Sequence, residues 1–288
     1  MVNRLRLPDT FAEQARDVIE GRVEEARARD AATVVILRDH PQRGLQVFML
    51  RRAASMAFAP GAYVFPGGSV DPRDADRTIG WAGPDPAAWG VAFGADETLA
   101  GELVCAAVRE TFEESGVLLA GPTPDSVIDD TRGDDWEADR QALIDRTLSF
   151  ADLLDRRGLV LRSDLLRPWA HWITPVIETK RYDTRFFMAA IPPGQRARDV
   201  STEADRVAWL SPGDAVERAR AGELTLLPPT IVTLLELTAY DSVAAVLATE
   251  RDIAPRLPEA AIVDGGVYLV MPDELPFDLQ VAYGVRRQ

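Results

Sequence analysis

The sequence predicts an α/β protein: an α/β/α sandwich around a mixed β-sheet, with a long insertion and helical additions. Three observations predict it. Stretches patterned as strands are interspersed with stretches patterned as helices, an order that layers helices on a mixed sheet. Apolar residues make up 47% of the 288, enough for a full core. No internal repeat or low-complexity tract breaks the pattern, so neither a solenoid nor a disordered array is expected.

The elements follow in order. Thr10-Phe11-Ala12-Glu13 reads as a capping box opening a helix toward Gly21. Thr33 to Leu37 and Leu45 to Leu50 read as strands, and Pro41 and Gly44 between them predict a hairpin. Ala62 to Phe65 is a third short strand, ended by Pro66-Gly67-Gly68. From 69 to 95 Asp, Gly and Pro dominate, with Trp81 and Trp89 interspersed. This is a long irregular insertion, read as a lid over substrate or, by slight preference, as structural packing. Thr98 to Ser115 is helical, with Gly116 where a helix C-cap belongs. Residues 134–157 read as one or two helices with Ser149 as an N-cap. Trp169 to Ile177, Arg185 to Ile191 and Arg206 to Leu210 read as strands. Helices follow at Pro212 to Ala221, Pro228 to Tyr240 and 241–249, then a strand at Val267 to Val270. The division expected is an N-terminal helical extension at 1–30, a main domain at 31–240 holding the 69–95 insertion, and a C-terminal extension at 241–288.

Charge and composition exclude several classes. A net charge of −14 repels polyanionic nucleic acid. A small phosphate-bearing substrate requires a local device to offset that charge, and a divalent metal is the obvious one. The single Cys105 rules out an internal disulfide framework and reads as a buried helix residue rather than a catalytic thiol. Charges recur through Met1 to Arg16, unlike an ordinary signal peptide, and no apolar run of membrane-spanning length exists. With only His40 and His171, a multi-histidine zinc site is not expected, and a metal would be held by carboxylates.

The informative stretch is Arg109-Glu110-Thr111-Phe112-Glu113-Glu114-Ser115-Gly116-Val117. On a helix, positions 110, 113 and 114 share a face. Three carboxylates on one face repel unless a cation lies among them, and hard oxygens suit magnesium or manganese. Taken alone, three glutamates are more often a solvated acidic face. The reading changes because Pro66-Gly67-Gly68 precedes them directly after a strand, where a glycine pair lets backbone pass close to a metal or phosphate.

Pro-Gly-Gly followed by Arg-Glu-x-x-Glu-Glu-x-Gly-aliphatic resembles the Nudix box: Gly, five residues, Glu, seven residues, then Arg-Glu-aliphatic-x-Glu-Glu-x-Gly-aliphatic. The resemblance implies the Nudix fold. It makes Gly68 the opening glycine, Glu110, Glu113 and Glu114 the metal ligands, and Arg109 their orienting partner. Three departures stand out. Gly68 and Arg109 are 41 positions apart instead of 14, an insertion of 27. Counted back from Arg109, the box's first glutamate falls on Gly101, with Glu97 or Glu102 as substitutes or the role absent. Thr111 replaces the usual aliphatic residue. An interrupted box, together with Arg51-Arg52, the 56–68 run, Trp172 to Pro175, Arg181 to Phe187, and Glu203 leading into Trp209 to Pro212, resembles the branch of peroxisomal coenzyme A diphosphatases and their bacterial relatives.

That branch implies metal-dependent hydrolysis of a diphosphate bond in coenzyme A or acyl-coenzyme A, with Mg2+ or Mn2+ as cofactor. The alternatives are an ADP-ribose- or NADH-type diphosphatase, and a non-catalytic Nudix-fold nucleotide binder, which Gly101 alone favours. Glu113, Glu114 and Glu203 are the candidates for activating water. Arg51, Arg52 and Arg185, with the Gly67-Gly68 backbone, are the candidates for substrate contacts, as is Arg181. Met56, Phe58 and Tyr63 read as pocket wall or core. His171 reads as a packed residue rather than a catalytic one. The expected partner is a small nucleotide-type molecule, with no nucleic acid or membrane. A homodimer is left open, with the terminal additions as its available surfaces. Val285-Arg286-Arg287-Gln288 does not resemble a peroxisomal address, so a cytoplasmic location is expected.

Overall fold

The computed structural model describes residues 4–7, 9–55, 59–75, 78–200 and 204–271. Strands β1 (Arg4–Arg6), β2 (Ala28–His40), β3 (Gly44–Arg52), β4 (Ala62–Val64) and β5 (Gly67–Ser69) open the chain, with helix α1 (Asp9–Ile19) between the first two. The insertion holds a short 3-10 turn (Pro72–Ala75), β6 (Trp81–Ala82) and α2 (Pro86–Phe93). Then come α3 (Glu97–Ser115), β7 (Ala120–Gly121), α4 (Asp134–Ile144), α5 (Phe150–Arg157), β8 (Val160–Arg162), β9 (Leu166–Ile173), β10 (Arg181–Ala190) and β11 (Ala204–Leu210). The chain closes with α6 (Pro212–Arg220), β12 (Thr225–Leu226), α7 (Pro228–Leu237), α8 (Val243–Leu247), β13 (Pro255–Arg256), β14 (Glu259–Val263) and β15 (Gly266–Val270).

The main sheet runs β12-β4-β3-β2-β10-β9-β13, with β11 on β3 and β5 on β2. It is mixed: β2 and β3 form the antiparallel hairpin, while β10 lies parallel to β2, from Arg181 beside Ala28 to Ala190 beside Leu37. Alternation along β2 explains the two layers. Val35 and Leu37 face one core with α1, α6, α7 and α8. Ala32, Val34 and Ile36 face the other with α2, α3 and α5. The sandwich expected from the sequence is therefore present.

Its ends are closed differently from what sequence patterning shows. β13 adds to β9 in the main sheet, and β1, β15 and β14 form a separate three-stranded sheet that joins the two ends of the chain. The strand expected from Trp169 runs from Leu166 to Ile173 and stops before Pro175, and the one expected from Arg185 begins at Arg181. The capping box at Thr10 lies outside the described side chains.

The insertion packs as structure. Trp89 and Phe93 of α2 are buried and contact Phe187 of β10, with ring centroids 5.5 and 5.0 Å away. Trp81 donates its indole N–H to the Pro84 carbonyl, and β6 pairs with β8. Phe187 is fully buried at the junction of insertion and sheet. Phe187→Ala is expected to destabilise the protein by about 3–5 kcal/mol, read by urea denaturation. A loss well under that range would mean the insertion is not anchored by this contact.

Candidate active site

Helix α3 carries the glutamates, and local chemistry fixes its register. Asp96 caps its N-terminus, accepting from the Leu99 N–H at 3.0 Å. Gly116 ends it at φ +72°, donating its N–H to Phe112 O at 2.9 Å. One face of α3 is buried through Leu103, Val104, Ala107, Val108 and Phe112. Thr111, fully buried, bonds back to the Ala107 carbonyl at 2.7 Å, so a hydroxyl replaces the usual aliphatic group without an unsatisfied donor. Arg140 of α4 donates to the Glu113 carbonyl at 2.6 Å and satisfies the last turn from outside.

Arg109 organises the site. Its side chain is 8% exposed and meets Asp74, itself 1% exposed, through two 2.8 Å hydrogen bonds. The same guanidinium donates to Glu110 at 2.7 Å, to Glu113 at 3.3 Å, and to the Ser69 carbonyl at 3.1 Å. Asp74 also accepts the Asp71 N–H at 2.8 Å. One cation thus joins α3, β5 and the first turn of the insertion.

Asp74 resolves the departure at Gly101. Counted forward from Gly68, the box's first acidic position is residue 74, and the insertion falls wholly between Asp74 and Arg109. Gly101 lies on α3 with a Cβ position 3.5 Å from Pro86 and takes no part in the cluster. Glu97 sits in the first turn of α3, also away from Arg109, and Glu102 lines the cleft described below. Asp74 is the carboxylate that both fits the spacing from Gly68 and pairs with Arg109. Counting from the glycine rather than from the arginine would have found Asp74.

The glycines meet the glutamates closely. Gly67 N–H donates to Glu114 at 2.9 Å. A Cβ on Gly67 would lie 2.4 Å from the Ala32 carbonyl, so that position excludes a side chain, and one on Gly68 would lie 2.3 Å from the Glu110 carboxylate, which would have to move aside. Among the described residues no three Asp, Glu, His or Cys side chains are already gathered in a metal-holding arrangement, since Glu110 and Glu113 turn to Arg109 and Glu114 to Gly67. The donor chemistry nonetheless fits a hard divalent cation. Burial pushes the Glu110 carboxyl up to about 7, with Arg109 opposing and Glu113 adding to the rise, and burial raises Glu113 as well. Burial works against the Arg109 charge, but Asp74, Glu110 and Glu113 outweigh it and hold the guanidinium charged. One cation against three carboxylates leaves excess negative charge that a further cation would relieve.

Glu110 and Glu113 line a cleft of about 700 Å3, with Asp30 from β2, Asp71 and Arg73 from the insertion, and Arg146 between α4 and α5. Other sequence candidates fall elsewhere. Arg185 is buried and ties Asp30 to Asp183 at 3.0 and 2.6 Å, so it braces the sheet behind the cleft instead of lining it. Arg51 forms a two-pronged pair with Asp205 at 2.6 and 2.7 Å on the β3–β11 edge, and Arg52 ends β3 beside it. Arg181 donates to the Thr174 and Ala26 carbonyls. His171 is buried against Asp183. Tyr63 is in the core. Glu203, Met56 and Phe58 lie outside the described residues.

Two expectations follow. Asp74→Ala strands Arg109 and is expected to cost about 3–5 kcal/mol, whereas Asp74→Glu, the residue usual in the box, retains most of that stability; equal losses in calorimetry would remove the assigned pairing. Because the Glu110 carboxyl is raised from 4.5 to about 7 in the fold, its stabilising contribution is complete below about pH 4.5 and is lost as pH rises through about 7. In chelator, Glu110→Gln should therefore raise the melting temperature at pH 8 but not at pH 4.5. An identical difference at both pH values would contradict this.

Comparison with known proteins agrees with this geometry. The family model for the NUDT19 Nudix domain matches residues 94–237, half of the chain, beginning beyond Gly68 and Asp74. The acyl-coenzyme A diphosphatase NUDT19 of Gallus gallus is 28% identical, covering 86% of this chain and 79% of that protein. The human protein of that name is 28% identical over 83% of this chain and 74% of its own length. The crystal structure of a Nudix hydrolase from Alicyclobacillus acidocaldarius, 29% identical, superposes with a TM-score of 0.67 over 79% of this chain and 98% of that one. A buried arginine–aspartate pair, a glycine turn against a glutamate helix and these relatives lead to one conclusion: the chain belongs to the NUDT19 Nudix domain family and is a Nudix hydrolase.

Proposed function

We propose that the protein hydrolyses the diphosphate bond of coenzyme A or acyl-coenzyme A in a reaction dependent on Mg2+ or Mn2+. The observation that carries this reading is the likeness, along most of both chains, to proteins named acyl-coenzyme A diphosphatase. The carboxylate-lined cleft supports the chemistry. Water adds to one phosphorus, the bridging P–O bond breaks, and the bridging oxygen leaves with the other phosphate. The products are 4′-phosphopantetheine, or its acyl form, and adenosine 3′,5′-bisphosphate.

Glu110, Glu113 and Glu114 are the residues that would hold the metal ion, after turning from their present partners. When bound, the ion supplies charge neutralisation at the diphosphate oxygens. Arg109, fixed by Asp74, holds the Glu110 and Glu113 carboxylates on the cleft side of α3. Gly67 holds Glu114 through its N–H, which positions that carboxylate beside the glycine turn. The water proton goes to Glu113, Glu114 or Glu203. The Gly67-Gly68 turn, packed against the Glu110 and Glu114 carboxylates, is the candidate backbone contact for substrate phosphate. Asp74, spaced from Gly68 as the box's first acidic residue and paired with Arg109, supports hydrolysis over the non-catalytic binder that Gly101 favoured.

Incubation with coenzyme A, acetyl-coenzyme A, ADP-ribose and NADH, with Mg2+ or Mn2+ or with chelator, tests the proposal. Chromatography should show metal-dependent release of adenosine 3′,5′-bisphosphate. Glu113→Gln or Glu114→Gln should lower kcat by about 10²–10⁴-fold. Turnover confined to ADP-ribose or NADH would replace the substrate and keep the chemistry.

A further inference from the structure

The cleft holds a cation that the hydrolytic cluster does not use. Arg146 follows α4, and its backbone is left-handed at φ +59°. That position, just past a helix end, favours glycine, because a Cβ is strained there. Arginine stands in it all the same. Its side chain is 76% exposed, lines the cleft, and has as its nearest ion-pair partner Asp71 at 3.8 Å. Asp71 is already engaged by Arg73 through three bonds of 2.9 to 3.1 Å. Arg73 in turn reaches the Leu148 carbonyl at 3.3 Å, which ties the α4–α5 link to the insertion and fixes the segment that carries Arg146. Arg29, exposed and without an ion-pair partner among the described residues, also lines the cleft.

The left-handed turn itself belongs to the α4 C-cap, in which the Arg146 N–H bonds the Leu143 carbonyl and the Thr147 N–H bonds the Ala142 carbonyl, each at 2.9 Å; what the cap does not call for is an arginine there, with its guanidinium exposed and weakly paired at the cleft. Carboxylates and arginines both line the cleft, and Arg73 and Arg109 are bonded to Asp71, Asp74, Glu110 and Glu113, so a guanidinium left with only a 3.8 Å contact is suited to an anionic ligand. We propose that Arg146 forms a subsite for a phosphomonoester of the substrate, separate from the scissile diphosphate, and so selects substrates bearing that third phosphate. The inference rests on the diphosphatase reading for its substrate. It goes beyond that reading by assigning discrimination to one residue. A guanidinium receives a phosphate dianion through paired N–H donors, a geometry that the remaining hydroxyl of a dephosphorylated substrate does not reproduce.

The test uses Arg146→Gly. Glycine suits the left-handed backbone, so a merely structural role for the arginine and a binding role predict different results. With metal present, kcat/KM for coenzyme A and for dephospho-coenzyme A are measured on the wild type and the variant. The expected result is a fall in their ratio of about tenfold, carried by KM for coenzyme A, with a melting temperature equal to or above the wild type. Arg146→Lys should restore part of the ratio. An unchanged ratio, or equal losses on both substrates, overturns the proposal. Calorimetric binding of adenosine 3′,5′-bisphosphate against adenosine 5′-monophosphate gives a readout independent of hydrolysis. If coenzyme A is not cleaved but the bisphosphate preference exists and vanishes in Arg146→Gly, the subsite stands and the substrate reading falls. If coenzyme A is cleaved but neither preference is present, the subsite falls alone.

Discussion

The site depends on one buried ion pair. Arg109 and Asp74 are each almost wholly withdrawn from water, so neither charge is tolerable without the other. Their pairing brings three separate pieces of chain into register: the helix that carries the glutamates, the glycine strand beside it, and the first turn of the insertion. Surface ion pairs such as Arg132–Asp130 are screened and contribute little. The Arg109 pair differs because burial makes its loss costly and because its other donors reach Glu110 and Glu113. The stability of the fold and the geometry of the candidate site therefore meet in one guanidinium.

That arrangement also explains how a long insertion can interrupt a compact motif. The box is a meeting of two halves in space, Gly68 to Asp74 and Arg109 to Gly116, and the pair closes the gap between them. The length of chain between the halves affects closure only weakly, since the entropic cost grows slowly with loop length. What the intervening segment needs is its own anchorage, and the Trp89, Phe93 and Phe187 contacts provide it. The segment is thus part of the layer over the sheet.

Much of this was legible in the residues, and the failures have physical causes. The helix carrying the glutamates, its glycine cap, the β2–β3 hairpin and the sandwich were readable because periodicity and caps are local signals. Asp74 was missed because the spacing was counted backward through the insertion. Burial of an aspartate leaves no local mark in a run already rich in aspartate and glycine. Arg185 read as a phosphate contact because an arginine entering a strand looks the same whether its side chain meets substrate or, as here, Asp30 and Asp183. The pairing of Arg51 with Asp205 joins residues 154 positions apart, and no spacing rule anticipates it. The pairing of β1 with β15 was likewise invisible, since β1 is too short to show a period, and so was the addition of the two-residue β13 to β9.

The joining of β1 to β15 has a consequence for biosynthesis. Arg4 pairs with Val270, so β1 waits for a strand made much later in the chain. Until then β1 has no partner, and the β9 edge that β13 covers is open to other chains. The glutamate helix and its ion pair lie well inside that span and can dock earlier. Synthesis therefore passes through an interval in which the hydrolytic core is assembled while a sheet edge is still bare, and that interval is where a chaperone has most to protect.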